Sequence, residues 1–261
     1  MSTRRAGARR KEIAMFLSRV ELGPRATERE EFWREVSRPY GAHQALWKLL
    51  GRDPEQKRDF LFRAEECRGR PSFLVLSAQR PEVGTDGLWG VESKPFAPEL
   101  GVGQRLGFRL RASPVVSRGE RVEGKANRRI HRHDVVMDLT RRLRDSGEPM
   151  PDLTERIRDS GLAWLVKQSE RAGFRLASTS VEAIGDDGLL EAEPREQTAV
   201  RVDGYQQHRI VRRGATAIRF STLDFEGVLE VVDPAVFVAK VIAGFGPQKA
   251  FGCGLMLLRR T

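Results

Sequence analysis

The sequence is poor in the residues that build disulfides, metal centres and membrane spans. Its 261 residues include two cysteines, Cys67 and Cys253, and four histidines. The cysteines have neither metal-ligand spacing nor neighbouring ligands, so we expect a reduced, cytoplasmic protein without a disulfide. No apolar run approaches the length of a membrane span, and no charged start leads into an apolar signal core. We therefore expect a soluble chain with no membrane partner.

The few histidines also restrict the possible chemistry. His131 and His133 alternate along the chain, but no carboxylate or cysteine at metal-ligand spacing joins them. We therefore expect no metal and no cofactor. No nucleophile elbow is present, although a Ser-His-Asp triad stays open. None of the four histidines is followed by x-Ser/Thr, which argues against the two-histidine phosphoesterases.

Positive charge is what the chain has in excess. The 46 Lys and Arg residues outnumber the 36 Asp and Glu residues, which gives a net charge of +10. Such an excess points to a polyanionic partner. Residues 1–14 are polar, basic and without periodicity, so we expect a disordered basic tail. Two interpretations of this tail stay open. One is a mis-assigned start codon, since Met15 directly opens a predicted strand, and the other is a basic arm that touches RNA.

Hydrophobic periodicity predicts an α+β fold. In the first half, one helix over 40–50 follows the first of four strands, which are predicted at 16–22, 60–65, 73–77 and 105–112. A Gly- and Pro-rich connection with a short helical turn precedes the last strand. Strand, helix, strand, strand and strand in this order suggest a ferredoxin-like unit.

The second half repeats that pattern. Helices are predicted from Asp134 and from Asp152 until Gly173. Strands lie within 174–184, 208–210 and 217–232, and a helix from Pro234 and a strand from Gly254 close the unit. We expect tandem ferredoxin-like (RRM-like) domains, 15–112 and 113–261, each with an antiparallel sheet and helices on one face.

The stretch 244–258 is the most distinctive local feature. Two Gly-x-Gly pairs, Gly244/Gly246 and Gly252/Gly254, flank a Pro-Gln-Lys turn that contains Lys249. Backbone amides, a turn and one lysine can form a positive seat for a phosphate backbone. A tight helix-to-strand connection would need the same glycines for steric reasons alone. The order helix, loop, strand excludes a Walker-type loop and the dinucleotide fingerprint.

A reactive pair is predicted at the start of the helix over 40–50. His43 follows Tyr40 by three residues, so the two rings share a face, and the positive helix end favours a phosphate there. Imidazole exchanges protons near neutral pH, and a phenol hydrogen-bonds a 2′-OH. Lys48 lies roughly 140° further round an ideal helix and reaches the pair only through its long side chain. A helix-start tyrosine beside a solvated histidine would give the same pattern.

Several blocks of the chain, in order, resemble one family. Pro39-Tyr40-x-x-His43-Gln44-x-Leu46-Trp47 resembles the active-site motif of the CasE family, the type I-E CRISPR repeat endoribonucleases of the repeat-associated RNA-binding superfamily. The glycine-rich stretch resembles the C-terminal loop of that superfamily. Further blocks that fit the family are 16–20, 58–63, 94–96, 110–115, with Ser113 where Asn is common, and 225–234. The resemblance runs from Met15 to the C-terminus and leaves out the tail.

The resemblance implies an endoribonuclease that cleaves the CRISPR repeat transcript without a metal, on the 3′ side of its stem-loop. A 2′-OH attacks the adjacent phosphorus and gives a 2′,3′-cyclic phosphate and a 5′-OH. In this chain His43 would act as acid or base, Tyr40 would orient or activate the 2′-OH, and Lys48 would support them. The implied partners are the repeat stem-loop, the mature crRNA and the other subunits of Cascade, and we expect a monomer when the protein is isolated.

Two basic stretches supply further candidate RNA contacts. A loop within 118–133 suits the phosphates along the deep major groove of A-form RNA, although a solvated linker is the alternative. A predicted hairpin tip at 209–214 corresponds to a family hairpin that approaches the base of the stem. With the glycine-rich stretch, the candidates are Arg118, Arg121, Lys125, Arg128, Arg129, Arg132, Arg209, Arg212, Arg213, Gly244, Gly246, Lys249, Gly252 and Gly254.

Two other functions compete with this interpretation. A non-catalytic RNA-binding subunit of a CRISPR ribonucleoprotein would need neither Tyr40 nor His43. An unrelated basic nucleotide-binding enzyme is disfavoured by the order of helix, glycine loop and strand.

Overall fold

A computed structural model of the chain describes residues 15–26, 28–51, 58–67, 69–120, 129–181, 195–212 and 215–261. The expected basic tail, residues 1–14, lies outside these ranges. No helix within the described ranges is long and apolar enough to cross a membrane.

The first four strands form one antiparallel sheet. They are β1 (Met15–Leu22), β2 (Phe60–Cys67), β3 (Arg70–Ser77) and β4 (Trp89–Phe96), in the order β2-β3-β1-β4. Helices α1 (Glu30–Val36) and α2 (Pro39–Leu49) connect β1 to β2. In β1 the side chain of Val20 is fully buried whereas its neighbour Arg19 is exposed, which is the alternation of a half-buried strand. This strand order is that of a ferredoxin-like unit.

The second sheet has the same order of strands. It contains β5 (Arg105–Ala112), β11 (Val200–Arg212), β12 (Ala215–Val231) and β13 (Met256–Arg260), ordered β11-β12-β5-β13, while β8 (Phe174–Leu176) pairs with the end of β12. Its helices are α3 (Val135–Ser146), α4 (Leu153–Ser169) and α5 (Pro234–Ala243). Two ribbons lie outside the sheets: β6 (Val115–Glu120) with β7 (Arg129–Asp134), and β9 (Ser178–Val181) with β10 (Arg195–Thr198). The tandem α+β architecture is as predicted.

One predicted strand belongs to the other unit. β5, expected to close the first sheet, lies between β12 and β13 and is the first strand of the second sheet. Its expected place beside β1 is taken by β4. β4 escaped prediction because it is mostly exposed and contains a glycine and a proline. Residues 78–88, which precede it, contain no helix. We therefore propose that the units divide within 97–104, not after residue 112.

Side-chain caps define where three helices begin. Asp134, Asp152 and Asp233 each accept a hydrogen bond from a backbone amide in the first turn of α3, α4 and α5. α2 has no side-chain cap, but Pro39 at its first position fits a helix start. α1 was not predicted, since its seven residues are too few to show a clear period.

Three apolar clusters are formed by the described part of the chain. One fills each unit, with Phe62 and Leu46 buried in the first and Phe225 and Phe237 in the second. The third joins the units: Met15, Leu61 and Leu76 of the first sheet pack with Leu255, which directly precedes β13. This third cluster sets the C-terminal glycine-rich stretch beside the first sheet.

Candidate active site

Tyr40 and His43 lie together in the first turns of α2, as their spacing predicts. Their ring centroids are 6.3 Å apart. Trp47 contacts the His43 ring at 5.5 Å, and Phe60 and Phe62 of β2 stack on it at 5.7 Å and 6.3 Å. His43 is therefore half-buried against aromatic rings, not the solvated histidine of the alternative interpretation.

This environment keeps the His43 imidazole neutral. Burial lowers the pKa of His43 below its ordinary value, and the positive charge of Arg58 lowers it further. Its Nδ1 atom is buried and has no hydrogen-bond partner among the described residues, which is uncommon for a buried polar atom. A neutral imidazole near pH 7 is able to accept a proton.

A line of rings leads from this pair into the second unit. Tyr40 contacts Phe251 at 6.3 Å, and Phe251 stacks on Phe220 of β12 at 5.0 Å. Phe220 in turn stacks on His208 of β11 at 4.7 Å. His208 shares a hydrogen bond of 2.9 Å with Thr222, and burial together with Arg111 lowers the pKa of His208. The active-site helix is thus packed, through Phe251, against the second sheet.

The glycine-rich stretch is shaped by its own packing. All four glycines have positive φ, as the sequence suggests. A Cβ at Gly254 would lie 2.6 Å from the Phe245 carbonyl oxygen, and one at Gly244 would lie 2.9 Å from Leu61. A Cβ at Gly246 would lie 3.2 Å from the Ser113 carbonyl oxygen, and one at Gly252 would lie 3.3 Å from the Phe62 ring. The steric reason for these glycines is therefore present, and a phosphate seat stays a proposal.

The Lys249 side chain contacts the same glycine-rich stretch. Its ammonium donates to the carbonyl of Ala243 at the end of α5. Burial lowers the pKa of Lys249, and the charges of Arg58 and Lys240 lower it further. Because Arg58 acts electrostatically on both His43 and Lys249, the two cations Arg58 and Lys249 lie near the neutral imidazole.

Lys48 lies on the Tyr40 side of α2, two turns beyond it. Its ammonium is 4.0 Å from a carboxylate oxygen of Glu35 on α1, and its side chain is 77% exposed. Glu35 and Tyr40 line one cleft of about 750 Å³, together with Arg38, Gln44 and Arg209. Lys48 therefore lies at the margin of this cleft, which we call the Tyr40 cleft, and does not line it.

The first basic stretch forms the ribbon of β6 and β7. Arg118 makes a bidentate ion pair with Asp138 of α3, with both N–O distances at 2.6 Å, so it holds the ribbon on that helix. Arg132 is exposed and lines a second cleft, whereas nothing is described of the Arg129 side chain. The other three candidates of this stretch, Arg121, Lys125 and Arg128, lie outside the described residues.

The second basic stretch is a hairpin, as predicted. Antiparallel β11 and β12 are paired as far as Arg212 and Ala215. Arg209 is exposed and lines the Tyr40 cleft. The Arg212 side chain and Arg213 lie outside the described part of the chain. Across the described ranges there is no group of three or more His, Cys, Asp or Glu that could hold a metal ion.

Sequence reasoning missed three residues of this region. Arg58 was noted only as part of a family block. Arg219 pairs with Arg209 across the hairpin, and this pairing could not be counted outward from the Arg212–Ala215 pair, because a register shift between Ile210 and Arg212 moves it by one residue. Gln248, in the predicted turn, has φ of 59° and is the only non-glycine residue with positive φ in the described ranges.

The chain is similar to known proteins over nearly its whole length. A family model described as CRISPR associated protein matches residues 15–260. The chain is similar to the CRISPR-associated endoribonuclease Cse3 of Thermus thermophilus, with 31% identity over 254 residues that cover 93% of this chain and 98% of the relative. It is also similar to the CRISPR system Cascade subunit CasE of Escherichia coli, with 28% identity over 250 residues, 94% of this chain and 98% of the relative.

A solved structure has the same fold. Thermus thermophilus Cse3 bound to an RNA representing a pre-cleavage complex matches with a TM-score of 0.60 and 30% identity, covering 94% of this chain and 99% of that one. The likeness spans both units, so the tandem ferredoxin-like architecture is confirmed.

Proposed function

The chain belongs to the CasE (Cse3) family of CRISPR-associated endoribonucleases, and from this premise we propose that it cleaves the repeat RNA of its CRISPR transcript and stays with the product as a Cascade subunit. The observation that carries the proposal is the Tyr40–His43 pair, whose half-buried, neutral imidazole lies beside an open cleft lined by arginines. A purely structural RNA-binding subunit has no need of such a pair.

The proposed reaction is an internal transfer at phosphorus. The 2′-OH of the nucleotide before the cut attacks the adjacent phosphorus and gives its proton to a base. The bond from phosphorus to the 5′ oxygen breaks, and that oxygen takes a proton from an acid. The products are a 2′,3′-cyclic phosphate and a 5′-OH, and the chemistry needs one base and one acid but no metal.

Two assignments of the protons are compatible with the site. Because burial and Arg58 keep His43 neutral, the imidazole suits the base, with the Tyr40 phenol hydrogen-bonded to the 2′-OH. In the reverse assignment the RNA phosphate raises the pKa of His43, and the imidazolium protonates the leaving oxygen. The slope of the single-turnover rate against pH for wild type and Tyr40→Phe separates the two.

The surrounding cations would stabilise the negative charge that builds up on the phosphate. Arg58 is partly buried, and none of the ion pairs found among the described residues includes it; burial lowers its pKa. A guanidinium in such a partly desolvated place interacts more strongly with a phosphate than one in bulk water. Lys48, which pairs with Glu35, would contribute only after leaving that carboxylate.

The test is cleavage of a labelled repeat stem-loop in excess EDTA. We expect one cut at the 3′ base of the stem, a cyclic phosphate end, and no cut when the nucleotide before the scissile phosphate carries a 2′-deoxyribose. Lys48→Ala is expected to lower the rate less than Tyr40→Phe. Cleavage of the 2′-deoxy RNA would overturn the mechanism, and tight binding without any cleavage would favour the structural subunit.

A further inference from the structure

A second cleft adjoins the Tyr40 cleft and is unused by the reaction above. It has a volume of about 590 Å³ and lies between the β6–β7 ribbon, the β11–β12 hairpin and the turn at Pro247 and Gln248. Its lining includes Arg132, Arg209 and Arg219. We call it the Gln248 cleft. Its volume is within the range of small-ligand sites.

The charge of the Gln248 cleft suits a phosphate. The three arginines come from three different strands, and none has an ion-pair partner among the described residues. Among the described lining residues the only carboxylate is that of Asp134, and it is already hydrogen-bonded. It accepts hydrogen bonds from the Met137 amide at 2.8 Å, from the Tyr205 hydroxyl at 3.2 Å and from the Ser221 hydroxyl. Asp134 therefore stabilises the wall of the cleft through its hydrogen bonds, and the three arginines give the cleft a net positive charge.

Gln248 gives the cleft a polar group that can discriminate between bases. Its backbone is held in the left-handed region, which costs a non-glycine residue roughly 1 kcal/mol and is found most often at functional sites. Glycine would relieve that cost in a loop that already contains four glycines. The side chain makes no capping hydrogen bond to the turn it begins. An amide that both donates and accepts therefore lines the cleft.

The Gln248 cleft is continuous with the proposed site of cleavage. Arg209 lines both this cleft and the Tyr40 cleft. A strand whose scissile phosphate lies at Tyr40 and His43 would reach the Gln248 cleft beyond Arg209. Base edges of A-form duplex are inaccessible in the deep major groove, whereas an unpaired base can be turned toward a side-chain amide.

We propose that the Gln248 cleft holds one unpaired nucleotide of the RNA strand that continues past the cut, with a phosphate on Arg132, Arg209 and Arg219 and the base edge against the Gln248 amide. The inference rests on the proposed function for the identity of the RNA. It goes beyond that function because it assigns the cleft to single-stranded RNA and makes Gln248 a specificity residue.

The test compares two RNAs and two pairs of variants by equilibrium binding. One RNA carries unpaired nucleotides on both sides of the stem-loop and a 2′-deoxyribose at the cut, and the other is the stem-loop alone. Gln248→Gly removes the amide at a position where glycine is favoured, so the fold is retained, and Gln248→Asn keeps a shorter amide at a residue that tolerates the conformation. Arg219→Gln is matched by Arg175→Gln, which removes the same charge from a residue paired with Glu230 outside both clefts.

We expect Gln248→Gly to weaken binding of the flanked RNA roughly three- to tenfold, the value of a hydrogen bond to a base, and to leave the stem-loop alone unchanged. An abasic nucleotide at one unpaired position should make wild type and Gln248→Gly bind equally, which locates the nucleotide. Arg219→Gln should lower the salt-dependence slope for the flanked RNA by about 0.7, and Arg175→Gln should not.

Equal loss of affinity for both RNAs, or no loss for either, would overturn the inference. So would an abasic scan without a position that removes the difference. Binding is measured on an RNA that cannot be cleaved. Failure of the cleavage assay would therefore overturn the proposed function, whereas the binding assay alone decides the role of the Gln248 cleft.

Discussion

Asp224 of β12 is expected to be costly to replace, because its carboxylate contacts cations of both units. Its carboxylate accepts two hydrogen bonds from Arg111 of β5, at 2.9 Å and 2.7 Å, which raise the pKa of Arg111. It also lies 3.8 Å from the guanidinium of Arg63, whose side chain is 5% exposed and which comes from β2 of the first sheet. Asp224 therefore neutralises a buried cation across the two units.

The cost of Asp224→Asn follows from these contacts. One charge-assisted hydrogen bond to Arg111 is lost, worth about 1.5–3 kcal/mol, and Arg63 keeps only Glu65 as a counter-charge. Removing one partner of a fully buried pair costs about 3–5 kcal/mol, but Arg111 is partly exposed, which reduces the loss. We expect the free energy of unfolding to fall by about 2–4 kcal/mol.

Glu226→Gln is the matched control. Glu226 lies two residues along the same strand and pairs with Arg109 at 3.8 Å and Arg201 at 3.4 Å, but these side chains are exposed. Exposed pairs contribute below about 1 kcal/mol. Urea denaturation followed by tryptophan fluorescence measures both variants, and in 1 M NaCl only the Asp224→Asn loss should persist. Equal losses in the two variants would refute the argument that the Arg63–Asp224 contact is a buried link between the units.

Three further predictions concern the glycine-rich stretch, the cysteines and the histidines. Gly254→Ala should lower the free energy of unfolding by more than about 2 kcal/mol in urea denaturation, because a Cβ there would lie 2.6 Å from the Phe245 carbonyl oxygen at a φ of 93°. The control Gly147→Ala should cost about 1 kcal/mol, because Gly147 lies in open space at a φ of 71°. Equal costs would contradict the packing argument. A thiol reagent should label exposed Cys67 rapidly and Cys253 only on unfolding, because burial raises the pKa of Cys253 to about 12; two fast thiols in the native protein would contradict this. The pKa values of His43 and His208 are lower in the folded protein than in the unfolded chain, so on acidification the unfolded chain binds protons before the folded protein does. The urea midpoint should therefore fall as the pH drops below about 6.5. A midpoint that rises on acidification would contradict this prediction.

Local signals in the sequence predicted the elements that carry the site. A proline at the first position of α2 and an i, i+3 spacing were sufficient to place Tyr40 and His43 together. Strand membership was harder, because β4 was not predicted from the sequence and β5 was the remaining strand available to the first sheet. β5 joins β12 and β13, which follow it by more than a hundred residues, and no local pattern contains that information.

The environments of the site residues could also not be predicted from the sequence. The Arg118 side chain looks like any other arginine of a basic loop until Asp138 is found beside it. The burial of His43 against Phe60 and Phe62 needs the packing of α2 on the first sheet, which periodicity implies only in outline. Gln248 carries no signal at all in composition, because a glutamine has no local preference for a positive φ.

The most direct test of the account compares wild type and His43→Ala in the single-turnover cleavage rate of a repeat stem-loop. The protein concentration is high enough to saturate the RNA. The affinity of each protein is measured separately on the 2′-deoxy RNA. Removal of a proton-transfer group should lower the rate by about 10²- to 10⁴-fold. The affinity should stay nearly the same, because the ring is half-buried and the proposed phosphate contacts come from other residues. A rate that is unchanged by the substitution would contradict the assignment of the active site to His43.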